Sequence, residues 1–139
     1  MIKDYLYMQI TSSLESLACN NDITLVNAED LSENVPDTAL INTRAVIMNK
    51  QFDINVDYTY RLAHELSHVL YGDKDAQAVY QFSEYGKRGE ELLAHKNAIK
   101  MLMSIEMPTT VNGFMEYYHV PSWLEHYANE TFKSLIVTE

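Results

Sequence analysis

Apolar residues recur at Ile2, Tyr5, Leu6, Ile10, Leu14 and Leu17, the three-to-four spacing that one face of a helix requires. Asn20, Asn21 and Asp22 break that pattern. Ile23 to Val26 reads as a short strand, Ala28 to Leu31 is ambiguous, and Glu33 to Asp37, with Pro36, predicts a turn. Ala39 to Ile41 and Arg44 to Asn49 then predict a hairpin around Asn42 and Thr43, supported by the β-prone run Ala45-Val46-Ile47-Met48. The next helix is expected over Tyr58 to Tyr71, with Asp57 as N-cap, an apolar side of Leu62, Leu66, Val69 and Leu70, and Gly72 as a C′ glycine. Asp73 to Lys87 has no clear period and reads as irregular or partly helical. A long helix from Gly89 to Ile105 follows, stopped by Pro108, and then Val111 to His119 and Ser122 to Leu135, split by Pro121.

Helix, small sheet, then several helices is the order of an α+β domain, with an antiparallel or mixed sheet. The 139 residues fit one domain, and no repeat, low-complexity run or Gly/Ser linker divides them. Cys19 is the only cysteine, so neither an internal disulfide nor a thiolate metal cluster is available, which fits a reducing compartment. The start, MIKDYLYMQITSSLES, lacks the apolar stretch of a signal peptide, and no run is long enough to span a membrane; a cytoplasmic location is expected. The formal net charge of −10 disfavours direct nucleic-acid binding and suits a basic protein partner, although it can equally serve solubility alone.

The chemistry concentrates in RLAHELSHVLYGD, residues 61–73, which holds His64, Glu65 and His68 in an H-E-x-x-H pattern. Residues four apart share a helix face, so both imidazoles can reach one ion. Zinc takes histidine nitrogen at about 2.0–2.1 Å, and a catalytic site needs three protein ligands and one open position. Zinc also lowers the pKa of a bound water to about 7, and Glu65, beside the first ligand, can take the proton and pass it to a leaving amine. The plainer alternative is an amphipathic helix that carries two histidines.

A third histidine in the extended pattern is excluded, because Tyr71 and Lys74 occupy the positions for its glycine and histidine. The remaining candidates are Glu84, Glu90, Glu91, His95, His119 and His126. In the helix from Gly89, residues Glu91, Ala94, Ala98, Leu102 and Ile105 form one stripe. The alanines allow a neighbouring helix to pack closely, so the carboxylate heading the stripe can reach an ion held there; Glu90 lies about 100° away. Glu91 is also compatible with a solvated first-turn glutamate favoured by the helix dipole. His95 is open to several roles: a group supporting a ligand from behind, an alternative ligand, a polar neighbour or, most commonly for a lone histidine, a solvent-facing or capped residue.

His64-Glu65-Leu66-Ser67-His68, with Glu91-x-x-Ala94-x-x-x-Ala98 and Met107-Pro108, resembles the ImmA/IrrE metallopeptidases over most of the chain. The run from Phe114 to Leu124 is similar to the tail of small prophage-encoded members. The resemblance implies a zincin-like fold, Zn2+ as cofactor, His64, His68 and Glu91 as metal ligands and Glu65 as the catalytic glutamate. It also implies a role in inactivating a helix-turn-helix repressor, and so derepressing a prophage or mobile element, by cleavage or by binding alone as an antirepressor. Ser67 stands where many members have glycine, and Asn97 where many have an aromatic residue; neither change removes a ligand. Larger relatives add a DNA-binding or sensor domain, for which these 139 residues leave no length.

Ten tyrosines offer several oxyanion-stabilising candidates, and no spacing selects one. Trp123, Leu124, Phe114 and Met115 are expected to pack the last helices onto the core, a protein-binding groove being the sharper alternative. Asp73 and Asp75 read as solvated loop charges, and Lys87-Arg88 is too short for a nucleic-acid patch.

Overall fold

The computed structural model describes residues 2–72 and 79–137. The chain runs α1 (Ile2–Asn20), β1 (Thr24–Ala28), β2 (Thr38–Leu40), β3 (Ala45–Asn49), α2 (Tyr58–Tyr71), β4 (Val79–Gln81), α3 (Gly89–Ile105), α4 (Val111–Tyr118), a 3-10 turn (Ser122–Leu124) and α5 (Glu125–Val137). The result is an α+β arrangement with one four-stranded mixed sheet among the described residues. No helix among those residues is long and apolar enough to cross a membrane.

The strand order is β1-β3-β2-β4, with β1 parallel to β3 and β2 antiparallel to both β3 and β4. The expected hairpin is present as β2 and β3, joined through a left-handed Arg44 (φ 52°). Because side chains alternate across a strand, one register row (Leu25, Val46, Ala39, Tyr80) faces the helices. Val46 and Ala39 are fully buried in that row. The alternate row carries the exposed Val26 and Gln81, so the sheet is covered by helices on one side.

α2 is the central element. Every residue from Thr59 to Val69 is buried, because α1, α3 and the strands β2 and β3 pack around it. Leu62, Leu66 and Val69 fill the core, and Leu70 is partly buried. On α3 the stripe of Ala94, Ala98 and Leu102 is buried, which places small side chains where α2 and α3 meet. Phe114 and Leu124 are buried and Met115 and Trp123 pack partly against the core, as the sequence suggests for the last helices.

Three local expectations change. Asp57 precedes α2 but makes no side-chain cap; its own N–H instead donates to the Tyr118 carbonyl at 3.0 Å. Gly72 ends α2 in an extended conformation (φ −72°, ψ 165°) rather than a left-handed one. Its missing Cβ matters for space: a Cβ there would stand 2.3 Å from the His68 carbonyl oxygen and 2.9 Å from Ile41 Cδ1. Finally, the segment read as irregular or partly helical contains β4, a three-residue strand paired to β2. Asp73 and Asp75 lie outside the described residues.

Candidate metal centre

His64 and His68 stand one turn apart on α2, and the same turn places Tyr60 before them. Glu91 heads the α3 stripe across the α2–α3 contact. Its carboxylate meets both imidazoles: Oε1 lies 3.1 Å from His64 Nε2 and Oε2 lies 2.9 Å from His68 Nε2. Ligand atoms of a tetrahedral zinc site, each at about 2.0–2.1 Å from the ion, stand roughly 3.3 Å apart. The spacing therefore suits a shared small cation. The His68 contact is not aligned for a hydrogen bond, and His68 Nε2 is a buried polar atom without a hydrogen-bond partner.

Glu65 points into the same cluster. His64, Glu65 and His68 each offer a ligand atom, all within 4.8 Å of one another, and the three residues are at most 1% exposed. Neither Glu65 oxygen has a hydrogen-bond partner. Among the described residues seven buried side-chain polar atoms are orphaned, and five belong to His64, Glu65 and His68. Such atoms each carry a desolvation cost that a bound ion or water removes. His68 Nε2 and the two Glu65 oxygens are the three that an ion or its bound water can satisfy, since the Nδ1 atoms point away from an ion held through Nε2, and together they mark a site that could hold a metal ion.

The charges agree with that reading. Burial holds the His64 imidazole below its ordinary range, against the pull of Glu91, so it is neutral and able to ligate. Burial raises the Glu91 carboxyl, but the His64 and His68 imidazoles together outweigh it and hold it at about 2. In the metal-free state a proton on His64 Nε2 donates to Glu91, and a cation would take that proton's place. Glu65 is pushed well above the usual carboxylate range, first by burial and then by the negative charges of Asp37 and Glu91.

An aromatic shell holds the two rings. Tyr80 of β4 stacks on His68 with centroids 4.2 Å apart and planes 5° from parallel. Phe82 meets His64 edge-on at 5.0 Å. Gly86 lets the chain pass close to Glu91; a Cβ there would be 2.5 Å from Glu91 Cβ. Ser67 turns its hydroxyl back to the Ala63 carbonyl at 2.8 Å and takes no part in the cluster.

The other sequence candidates fall elsewhere. His119, the left-handed residue that ends α4, and His126 on α5 are both exposed. Glu84 offers its backbone carbonyl to Trp123 Nε1 at 2.7 Å, and Glu90 lies near Gly72. His95 is neither solvent-facing nor open as a ligand: it is fully buried, with Tyr60 Oη 2.8 Å from Nδ1 and the Ser83 carbonyl 3.1 Å from Nε2. The shell residues Tyr60, Tyr80, Phe82 and Trp123 were not selected by sequence reasoning. Tyr60 carried a usable signal, its four-residue spacing from His64; Tyr80 and Phe82 did not, because they depend on β4. No family model, curated protein or solved structure matches this chain.

Proposed function

We propose that this chain is a zinc-dependent endopeptidase of the ImmA/IrrE type, with a zincin-like fold, acting on a helix-turn-helix repressor. The observation that carries the reading is Glu91 bridging His64 and His68 while Glu65 stands beside them with both oxygens unpartnered. Two imidazoles and one carboxylate are a recurrent catalytic zinc set, whereas structural sites are usually closed by four protein ligands. His64, His68 and Glu91 would hold the ion, which when bound supplies Lewis-acid polarisation of the scissile carbonyl.

Glu65 supplies the proton chemistry. Its carboxylate accepts a proton from the attacking water and delivers it to the leaving amine. Burial and the charges of Asp37 and Glu91 raise the Glu65 carboxyl, and a cation held by His64, His68 and Glu91 would oppose that shift. The net charge of −10 favours encounter with a partner whose DNA-binding face is basic.

A second reading, a non-proteolytic antirepressor with a structural or vestigial metal, is favoured by one observation: His64, Glu65 and His68 are almost wholly shielded. Glu65→Gln separates the two. Co-expressed with a helix-turn-helix repressor that it recognises, the peptidase should yield repressor fragments, and the variant should cut at least about 10²-fold more slowly with its metal retained. Derepression undiminished by Glu65→Gln, with the repressor intact, would establish the binder instead.

A further inference from the structure

His95 lies one turn beyond Glu91 on α3, is fully buried, and belongs to none of the roles assigned above. A buried imidazole must satisfy two nitrogens. The Ser83 carbonyl can only accept, so His95 Nε2 carries the hydrogen and donates to it at 3.1 Å. Nδ1 is then the acceptor, and Tyr60 Oη donates to it at 2.8 Å. This fixes the tautomer and leaves neither nitrogen free for a cation.

What His95 touches is the metal centre itself. Its ring centroid is 4.2 Å from that of His64, and Trp123 meets it edge-on with centroids 5.5 Å apart. Trp123 Nε1 donates to the Glu84 carbonyl at 2.7 Å, so two successive carbonyls, Ser83 and Glu84, are each held by a ring N–H. The segment so held begins at Phe82, whose ring abuts His64, and ends at Gly86, whose backbone packs against the Glu91 side chain. One imidazole thus braces His64 directly and Glu91 through the chain from Ser83 to Gly86.

We propose that His95, anchored by Tyr60, is a positioning residue that sets the His64 ring and the Glu91 carboxylate for a cation and couples both to the C-terminal helices through Trp123. This rests on the reading of His64, His68 and Glu91 as ligands. Partners of this kind commonly change metal affinity by about 10–100-fold when removed.

The test uses the full chain, with Zn2+ affinity from chelator competition and Co2+ absorption as a report of ligand geometry. His95→Phe keeps the ring and removes both hydrogen bonds; His95→Gln keeps one acceptor and one donor; Tyr60→Phe removes one hydroxyl. Far-UV circular dichroism and melting in chelator check the fold. His95→Phe should bind Zn2+ about 10–100-fold more weakly and shift the Co2+ bands, and His95→Gln should recover part of that loss. Tyr60→Phe should move both readouts in the same direction by less, and the double variant should be no worse than His95→Phe, since both act on one contact. Fluorescence of Trp123, the only tryptophan, should shift in metal-free His95→Phe. If His95→Phe does not fold, Tyr60→Phe decides by the same two metal readouts. Wild-type Zn2+ affinity and an unchanged Co2+ spectrum in the folded variants would overturn the proposal alone. Complete loss of binding in folded His95→Phe would make His95 a ligand and overturn it as well. A wild-type chain that binds neither ion overturns the metal reading and this proposal together.

Discussion

α2 carries two buried polar clusters within two turns, and they are built on opposite principles. At its start, Arg61 Nη1 pairs with Asp37 Oδ2 at 2.6 Å while its Nε donates to the Val56 carbonyl at 3.1 Å. Asp37 also accepts the Asn49 N–H at 2.8 Å, and Asn49 Nδ2 donates to the Ser32 and Val35 carbonyls. The Arg61 guanidinium stands over the Phe52 ring at 5.3 Å. None of the side-chain polar atoms of Arg61, Asp37 or Asn49 is orphaned. One turn on, His64, Glu65 and His68 are buried as deeply and hold five orphaned atoms. A saturated buried network fastens loops to a helix; an unsaturated one remains unfavourable until a ligand arrives. The contrast separates structural polarity from chemical polarity on a single helix.

Breaking the saturated cluster should cost most. Arg61→Met leaves Asp37 buried without its cation, and denaturant unfolding should show a loss of about 3–5 kcal/mol. Next is the gain from filling the unsaturated cluster. Zn2+ at 100 times its dissociation constant should stabilise the chain by about 2.7 kcal/mol, seen as a higher melting temperature that chelator reverses. Glu91→Ala should abolish that gain, whereas Arg61→Met should lower the baseline and keep it. Smaller again is Glu65→Leu, which removes two orphaned oxygens and should stabilise the metal-free chain by on the order of 1–3 kcal/mol. A destabilised metal-free Glu65→Leu would place Glu65 in the structural class with Arg61.

The smallest effect is in pH. Glu65 in the folded chain binds its proton more tightly than at its ordinary value of 4.5. The native state therefore holds more protons than the unfolded state above that value, and metal-free stability should fall as pH rises through the window above 4.5. Glu65→Leu should flatten this slope. The measurement is denaturant unfolding in chelator at several pH values, and an equal slope in both proteins would exclude Glu65 as its source.

Much of the frame was legible along the chain. The bounds Tyr58–Tyr71 and Gly89–Ile105 follow from apolar spacing and flanking breakers, and they agree with the helices observed. The hairpin of β2 and β3 was legible for the same local reasons. Glu91 stood out because a carboxylate at the head of a small, apolar stripe is an anomaly on a buried face, and its contact with both imidazoles is what the structure adds. β4 was hidden: three residues carry no period, and their strand state comes from pairing with β2 about forty residues earlier. With β4 hidden, Tyr80 and Phe82 could not be placed against His68 and His64. Asp37, distant in sequence from Arg61, gave no sign of its pairing either.

The sequence by itself determined which side chains share a face. His64 and His68 are neighbours, Tyr60 precedes them by one turn, and Glu91 leads Ala94 and Ala98, because a helix fixes its own 3.6-residue period. Only the tertiary structure decided that Glu91 meets the two imidazoles, that His95 is sealed between Tyr60 and Ser83, and that Arg61 is paired with Asp37 while both Glu65 oxygens are left without a partner. Those outcomes depend on desolvation and on hydrogen-bond partners contributed by segments up to 35 residues away. The local chain sets direction; the packing above it sets which polar atoms are left waiting for a ligand.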